Sequence, residues 1–404
     1  MNERNLLSGI RVIDCGTYVA GPAAATVMSD FGADVIKIER PGGGDLWRLY
    51  SKLPGVAKSE VDWCWILTNR NKKSVALDLG DPAGHEAMIR LVRTADVFLT
   101  NYQRPLLDKF RLSWDDLSTV NDRLIYAHLT GYGDAGEDAD DPAFDALAYW
   151  ARSGLMMSVT GLDGSPGAPR PGMGDHPTSM SMFGAIMLGL YQRERTGRGS
   201  RVTTSLLASG AWANACDIQA KFCNATFPVR GEGKHPPNPL TAVYLSRDGK
   251  LFLLVQIDPE NEFPHLCQAF GQPELAASEL FATNEARAEN AAALYAILQS
   301  QFETLDLAEW RLIFKRYDIK FAPLPKLDDV VQDPQMRAAD AFIKMEYPGI
   351  GQLETVNSPV FVSGVQKRKP TAAPEVGEHT REILRELGYT AEAIEALVRG
   401  SARA

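Results

Sequence analysis

The stretch that decides the fold is residues 10–40, IRVIDCGTYVAGPAAATVMSDFGADVIKIER. An apolar run, Ile10 to Ile13, precedes a turn at Gly21-Pro22, a helix-prone segment from Ala23 to Phe31, and a second apolar run from Val35 to Ile38. Gly32 is well placed to end the helix, so the order reads strand, helix, parallel strand. The alternation continues outward from this unit. Ser74–Leu77, Val97–Leu99 and Leu124–Leu129 read as strands, and Gly84–Thr94 reads as a helix. Strands separated by helices predict a doubly wound α/β layer.

The pattern changes after residue 130. Pro, Gly and Asp crowd 131–142 and again 161–177, loops long enough to suggest function, with a helical stretch expected from Phe144 to Met157 between them. A helix after Pro177 carries apolar residues at Met180, Phe183, Met187 and Leu190, the spacing of a buried face. A second break at Pro228–Pro239 precedes a strand at Leu251–Ile257 and helices within Asn290–Arg316. Helical patterns at Glu378–Leu387 and Thr390–Val398 close the chain. The expected organisation is a large Rossmann-like domain from residues 1–225, a small α+β domain at 226–335, and a return segment, 336–404, that completes the large domain.

Composition narrows the function. Of 404 residues, 42 are Lys or Arg and 51 are Asp or Glu, a net charge of -9 that opposes binding to a polyanion such as nucleic acid. Five widely spaced cysteines, Cys15, Cys64, Cys216, Cys223 and Cys267, form neither a disulfide framework nor a CxxC metal motif, which suits a reducing cytosol. No long apolar stretch follows the charged N-terminus or approaches the roughly 20 residues of a membrane span, so no membrane partner is expected and the cytoplasm is the expected location. After Asp14 the residues do not space as GxGxxG. GxxxxGK[ST] and GxSxG are absent, and the six histidines show no HExxH spacing, so no metal site is expected.

Several segments in register remain. Leu7-Ser8-Gly9-Ile10-Arg11-Val12-Ile13-Asp14, Ala20-Gly21-Pro22 and the run from Phe31 to Asp45 resemble the opening of the family III coenzyme A transferases, the CaiB/BaiF family. Asn71-Lys72-Lys73-Ser74, Asn101-Tyr102 with Arg104-Pro105, Leu129-Thr130-Gly131-Tyr132-Gly133, Ser153-Gly154-Leu155-Met156, Thr196-Gly197-Arg198-Gly199 and Gly377-Glu378-His379-Thr380 continue the resemblance over nearly the whole chain. It implies a ring-shaped monomer interlocked with a second copy in a homodimer. It also implies transfer of coenzyme A from an acyl-CoA to a free carboxylate, with CoA as substrate and no permanently bound cofactor.

The family's nucleophilic aspartate sits in a Gly-Asp pair ahead of the helix before the TGRG turn, which here is Gly174-Asp175. A carboxylate ionised at neutral pH attacks a thioester without a general base. The plain alternative for Asp175 is a helix-capping acid before Pro177. The resemblance places CoA against Tyr18, Val19 and Ala20, the cations Arg40, Lys72, Lys73, Arg104 and Lys109, and Leu77, Asn101 and Tyr102, because its phosphates need cations and N–H donors. An acyl pocket is expected from Phe144, Asp145, Tyr149, Trp150, Gly174 and His176. Oxalate-specific members have Gln at the position of Val19 and glycines at Gly231-Glu232-Gly233-Lys234, which points this chain to larger acids: 2-hydroxy, aryl or similar carboxylates. Two alternatives stay open. One is α-methylacyl-CoA racemase chemistry, whose His-Asp pair aligns on Phe144-Asp145; the other is a non-catalytic CoA-binding protein.

Overall fold

The computed structural model describes residues 5–159, 165–227 and 236–401. Residues 161–164 of the second loop and the Gly231–Lys234 run lie outside them. The apolar runs form six strands: β1 (Arg11–Cys15), β2 (Asp34–Glu39), β3 (Lys73–Ala76), β4 (Val97–Thr100), β5 (Ile125–Thr130) and β6 (Ser200–Ser205). All pair in parallel, in the order β3-β2-β1-β4-β5-β6. Because helices cover both faces, alternate residues of one strand enter different cores. Ile13, Ile36, Val75 and Phe98 pack with Met88, Leu91, Ile383 and Leu384. Val12, Val35, Val97 and Ile125 pack with Ala24, Met28, Met182 and Ile186 on the other side.

The chain divides into two compact units. The first comprises Met1–Met156, Ala168–Gln219 and Ala339–Ala404 and holds the parallel sheet; the second comprises Met157–Gly167 and Ala220–Ala338. In the second unit β7 (Thr241–Leu245), β8 (Leu251–Val255) and β9 (Phe321–Pro323) form an antiparallel sheet. Its core is aromatic, with Phe302 set against Tyr244, Phe252 and Trp310.

Three local expectations are corrected. The first helix spans Ala20–Asp30, so Gly21-Pro22 lies inside its first turn, where a missing N–H leaves no helical bond unmade. The helix expected over 144–157 is broken: a π-helical turn, Ala146–Ala151, gives way at Gly154, which has φ +82°, to the short helix Leu155–Ser158. The long helix Asp175–Thr196 buries Met182, Ile186, Gly189 and Leu190, while Met180, Phe183 and Met187 are only half-buried. Small residues made that choice. A Cβ at Gly189 would stand 2.9 Å from Ile125, so the helix lies close on the sheet through its glycine.

Beneath the C-terminal edge of the sheet runs a buried ionic network. Lys37 on β2 is fully buried, 2.8 Å from Asp45 and 3.8 Å from Asp14, and it donates to the Gly16 carbonyl. Burial alone lowers an ammonium's pKa, but Asp14 and Asp45 outweigh it and hold Lys37 above its ordinary value. Lys72 donates to Asp14 at 2.8 Å, to the Pro22 carbonyl at 2.8 Å and to Asn69 at 3.0 Å. Burial, opposed by Asp14, pushes its pKa down to about 8. All three of its protons are engaged, so Lys72 supports the turn between β1 and the first helix and presents no charge to a ligand. Lys73 instead pairs at the surface with Asp34 at 3.2 Å and Glu382 at 3.6 Å. The neighbours therefore differ in energetic weight. Lys72→Ala leaves Asp14 buried with one cation fewer and is expected to cost about 3–5 kcal/mol. Lys73→Ala is expected to cost less than about 1 kcal/mol. Denaturant titration of both variants reads the contrast.

Candidate active site

The loops that leave the C-terminal ends of β1 to β5 enclose a cavity of about 1120 Å³, at the switch point between β1 and β4 where doubly wound sheets bind ligands. It exceeds the roughly 300–1,000 Å³ of pockets for drug-sized molecules. Tyr18, Val19, Ala20, Arg40, Leu77, Asn101, Tyr102, Arg104, Phe144, Asp145 and Asp175 all line it.

Each wall has a local cause. Asn101, just after β4, accepts from the Thr17 N–H at 2.8 Å and donates to the Thr17 carbonyl at 2.9 Å, tying the β1 loop to the β4 loop. Tyr18 adopts φ +61°, and its N–H is held by Asp45 at 3.1 Å. This conformation turns the chain sharply into the first helix, whose N-terminus has no side-chain cap and opens on the cavity at Val19 and Ala20. Such a terminus favours an anion. Arg40 folds over the Gly42-Gly43-Gly44 turn, where a Cβ on Gly43 would stand 2.4 Å from its guanidinium. No carboxylate pairs with Arg40 among the described residues.

Other expected contacts are not brought together. Arg104 lines the cavity, but its guanidinium makes two bonds to Asp140, at 2.9 and 2.7 Å, and a third to the Asp134 carbonyl. Its charge is already met by the loop opposite. Lys72 is internal, Lys73 lies at the sheet surface, and Lys109 sits outside the lining over the Phe110 ring. Tyr149 and Trp150 do not wall the cavity. Trp150 packs toward the core between sheet and long helix. The Tyr149 ring covers Gly174, where a Cβ would meet it at 2.7 Å, so the residue before Asp175 must be glycine. Gly174 and His176 flank the lining rather than form it.

Sequence reasoning missed the aromatic side of the cavity. Trp47 and Tyr50 stack at 4.5 Å in the 3₁₀ turn Leu46–Lys52, and Tyr18 meets both Trp47 and Phe144 edge-on. The signal was present in Trp47 and Tyr50, three residues apart directly after the glycine turn. Residues 139–143 also line the cavity, and only their Pro and Asp content marked them as a loop.

Asp175 is the first residue of the long helix, faces the cavity, and receives no hydrogen bond among the described residues. Burial, followed by the nearby carboxylate of Asp145, raises its pKa to about 7. The helix N-terminus acts in the opposite sense. The expectation of full ionisation at neutral pH is corrected accordingly. His176 is pushed down, first by burial, and so is neutral at pH 7. A carboxylate left without donors and partly desolvated does not behave as a cap for the helix it begins, and its raised pKa marks it as a candidate functional group.

The sequence matches the model of CoA-transferase family III over residues 7–380. The chain belongs to that family. It is 32% identical over 401 residues to the cinnamoyl-CoA:phenyllactate CoA-transferase of Clostridium sporogenes, covering 98% of this chain and 97% of that one. It is 32% identical to the succinyl-CoA:glutarate CoA-transferase of Mus musculus, covering 97% and 89%. A CaiB/BaiF family protein from Brucella suis superposes with a TM-score of 0.81 at 28% identity, over 95% of this chain and 100% of that one. The family III CoA-transferase is thus an enzyme of mixed α/β fold that works on CoA thioesters. No helix of the described residues is long and apolar enough to cross a membrane.

The raised pKa of Asp175 has a stability consequence. Between an unfolded value near 3.8 and a folded value of about 7, the native state binds more protons, so the ionised group destabilises the fold increasingly as pH rises. Asp175→Asn is expected to stabilise this CoA-transferase by about 0.5–2 kcal/mol above pH 7, with the gain gone below about pH 4. Denaturation midpoints of both proteins across that range test the sign.

Proposed function

We propose that this CoA-transferase moves coenzyme A from an acyl-CoA to a free carboxylic acid through covalent intermediates on Asp175. The ionised carboxylate attacks the thioester carbonyl, the carbon–sulfur bond breaks, and CoA leaves as thiolate from a mixed anhydride. The thiolate then attacks the aspartyl carbonyl, releasing the first acid and leaving an aspartyl-CoA thioester. The acceptor carboxylate repeats the sequence in reverse. The observation that carries this reading is the Asp175 carboxylate itself, without a hydrogen-bond donor among the described residues and on the wall of a cavity of about 1120 Å³. Phe144, at the position where racemase chemistry needs a second proton carrier, holds no proton to transfer. The helix N-terminus without a side-chain cap at Val19 and Ala20, and Arg40, which no carboxylate pairs among the described residues, suit the phosphates of CoA.

The same reading includes a homodimer and a cytosolic setting, the latter supported by a sequence whose five widely spaced cysteines form neither a disulfide framework nor a CxxC motif. Asp175→Ala is expected to remain folded while transfer falls at least about 10³-fold. Mass spectrometry of wild type incubated with acyl-CoA should find CoA on the peptide that contains Asp175. Turnover near wild type in the alanine variant would end the mechanism.

For the acid, we propose a medium-sized branched, hydroxylated or aryl monocarboxylate. Tyr18, Trp47, Tyr50 and Phe144 supply apolar area, and the lining holds only Arg40 and the already paired Arg104 as strong cations. Each buried methylene contributes about 0.8 kcal/mol, so three more favour the larger acid roughly 50-fold. A dicarboxylate has no comparable gain. In competition at equal concentrations, phenyllactate and 2-hydroxyisocaproate are expected to exceed succinate and oxalate as acceptors in kcat/KM. A clear oxalate preference would overturn the substrate class and leave the transferase chemistry standing.

A further inference from the structure

Asp145 was expected in the acyl pocket, yet most of its capacity to accept hydrogen bonds is used elsewhere. The residue is 5% exposed. One carboxylate oxygen accepts from the Gly172 N–H at 2.8 Å and from the Gly174 N–H at 3.0 Å. The other accepts from the Ala146 N–H at 2.8 Å. Gly172 stands at φ +89°, a conformation that turns neighbouring amides toward one point and makes the 172–174 loop a nest for an anion. Asp145 is the anion in it.

The same turn of chain presses on the loop a second time. Asp145 opens the π-helical turn Ala146–Ala151, an irregularity frequent at functional sites. Four residues on, Tyr149 lays its ring against Gly174. That turn is itself wedged: the Tyr149 carbonyl accepts from the Ser153 hydroxyl, and a Cβ on Gly210 would stand 2.3 Å from it. One rigid segment therefore holds the residue before Asp175 by its N–H and by its Cα face.

We propose that Asp145 is the positioning residue for Asp175: by gripping the amides of Gly172 and Gly174 it sets where the nucleophile's carboxylate stands, without touching the reacting atoms. This rests on the reading of Asp175 as nucleophile. The arrangement accounts for a geometry that looks unfavourable at first, two carboxylates close together in a partly desolvated site. The groups facing Asp145 are Asp175, His176 and Tyr50. His176 is neutral at pH 7 and Tyr50 is pushed up by burial, so near neutrality Asp175 is the one whose ionisation responds to Asp145.

The test compares Asp145→Ala and Asp145→Asn with wild type. Asparagine keeps an oxygen that can accept from the two amides but removes the charge; alanine removes both. In Asp145→Ala, kcat is expected to fall about 100-fold or more, as for a nucleophile displaced by about 1 Å, with the acyl-CoA KM within about threefold of wild type. In Asp145→Asn, at least about a tenth of kcat is expected to return, and the acid limb of the pH–rate profile should move to lower pH because Asp175 has lost a like-charged neighbour. An asparagine variant as inactive as alanine would show that Asp145 itself moves protons, overturning a positioning role. So would variants that lose only thermal stability, with kcat per folded enzyme and the acid limb unchanged. Mapping the CoA adduct in wild type keeps the two claims separate: an adduct on a residue other than Asp175 overturns both, whereas an adduct on Asp175 with unaffected Asp145 variants overturns the positioning role alone.

Discussion

Four charges buried under one edge of the sheet set the frame for the rest. Lys37 and Lys72 stand on or beside β2 and β3, Asp14 lies in the last two residues of β1, and Asp45 closes the glycine turn. None has water to fall back on, so each must keep its partner, and the partners belong to different loops. Lys37 holds the Gly16 carbonyl, Lys72 holds the Pro22 carbonyl, and Asp45 holds the Tyr18 N–H. These are the backbone points that shape the approach to the first helix. The cavity wall at residues 16–20 is fixed from below by electrostatics, and Asp45 belongs both to that network and to the lining.

The same division explains what was legible in the sequence. The strands were readable because both faces of a parallel sheet are buried, so Ile10–Ile13, Val35–Ile38 and Val97–Leu99 stand out as apolar runs. Asp175 stood out from its Gly-Asp context and lies on the cavity wall, and Gly174 gains a reason in the Tyr149 ring that lies on it. Charge identity was not readable. Lys72, Arg40 and Arg104 look alike as cations near glycine turns, but one is internal, one is open, and one is already bound to Asp140. Whether a cation is available depends on partners 36 to 58 residues away, and spacing within a motif carries no information about them. The buried face of the long helix was obscured for another reason: its contact with the sheet is made through Gly189, and counting apolar residues favours larger neighbours.

At the cavity end of the long helix the fold accepts a local cost. Asp175 is desolvated, receives no hydrogen bond among the described residues and has the Asp145 carboxylate nearby, conditions that raise its pKa. The surrounding order makes it sustainable. The loop before it is held by carboxylate and ring, and the helix after it packs on the first helix and on β5 and β6, so the desolvated group sits between two well-supported segments. Apolar packing supplies the stability that the site gives up.

The π-helical turn adds a constraint of a different kind, on chain length. A turn of this type carries one residue more than its α-helical equivalent, and each residue in a helix rotates the next by about 100°. Asp145 and Tyr149 reach the same short loop because the segment between them has that count. Deleting one residue from 146–148 would turn Tyr149 by about 100° relative to Asp145 and swing one of the two away from Gly174, with both side chains chemically intact. In this segment substitution is a graded change, whereas a change in length is all or none.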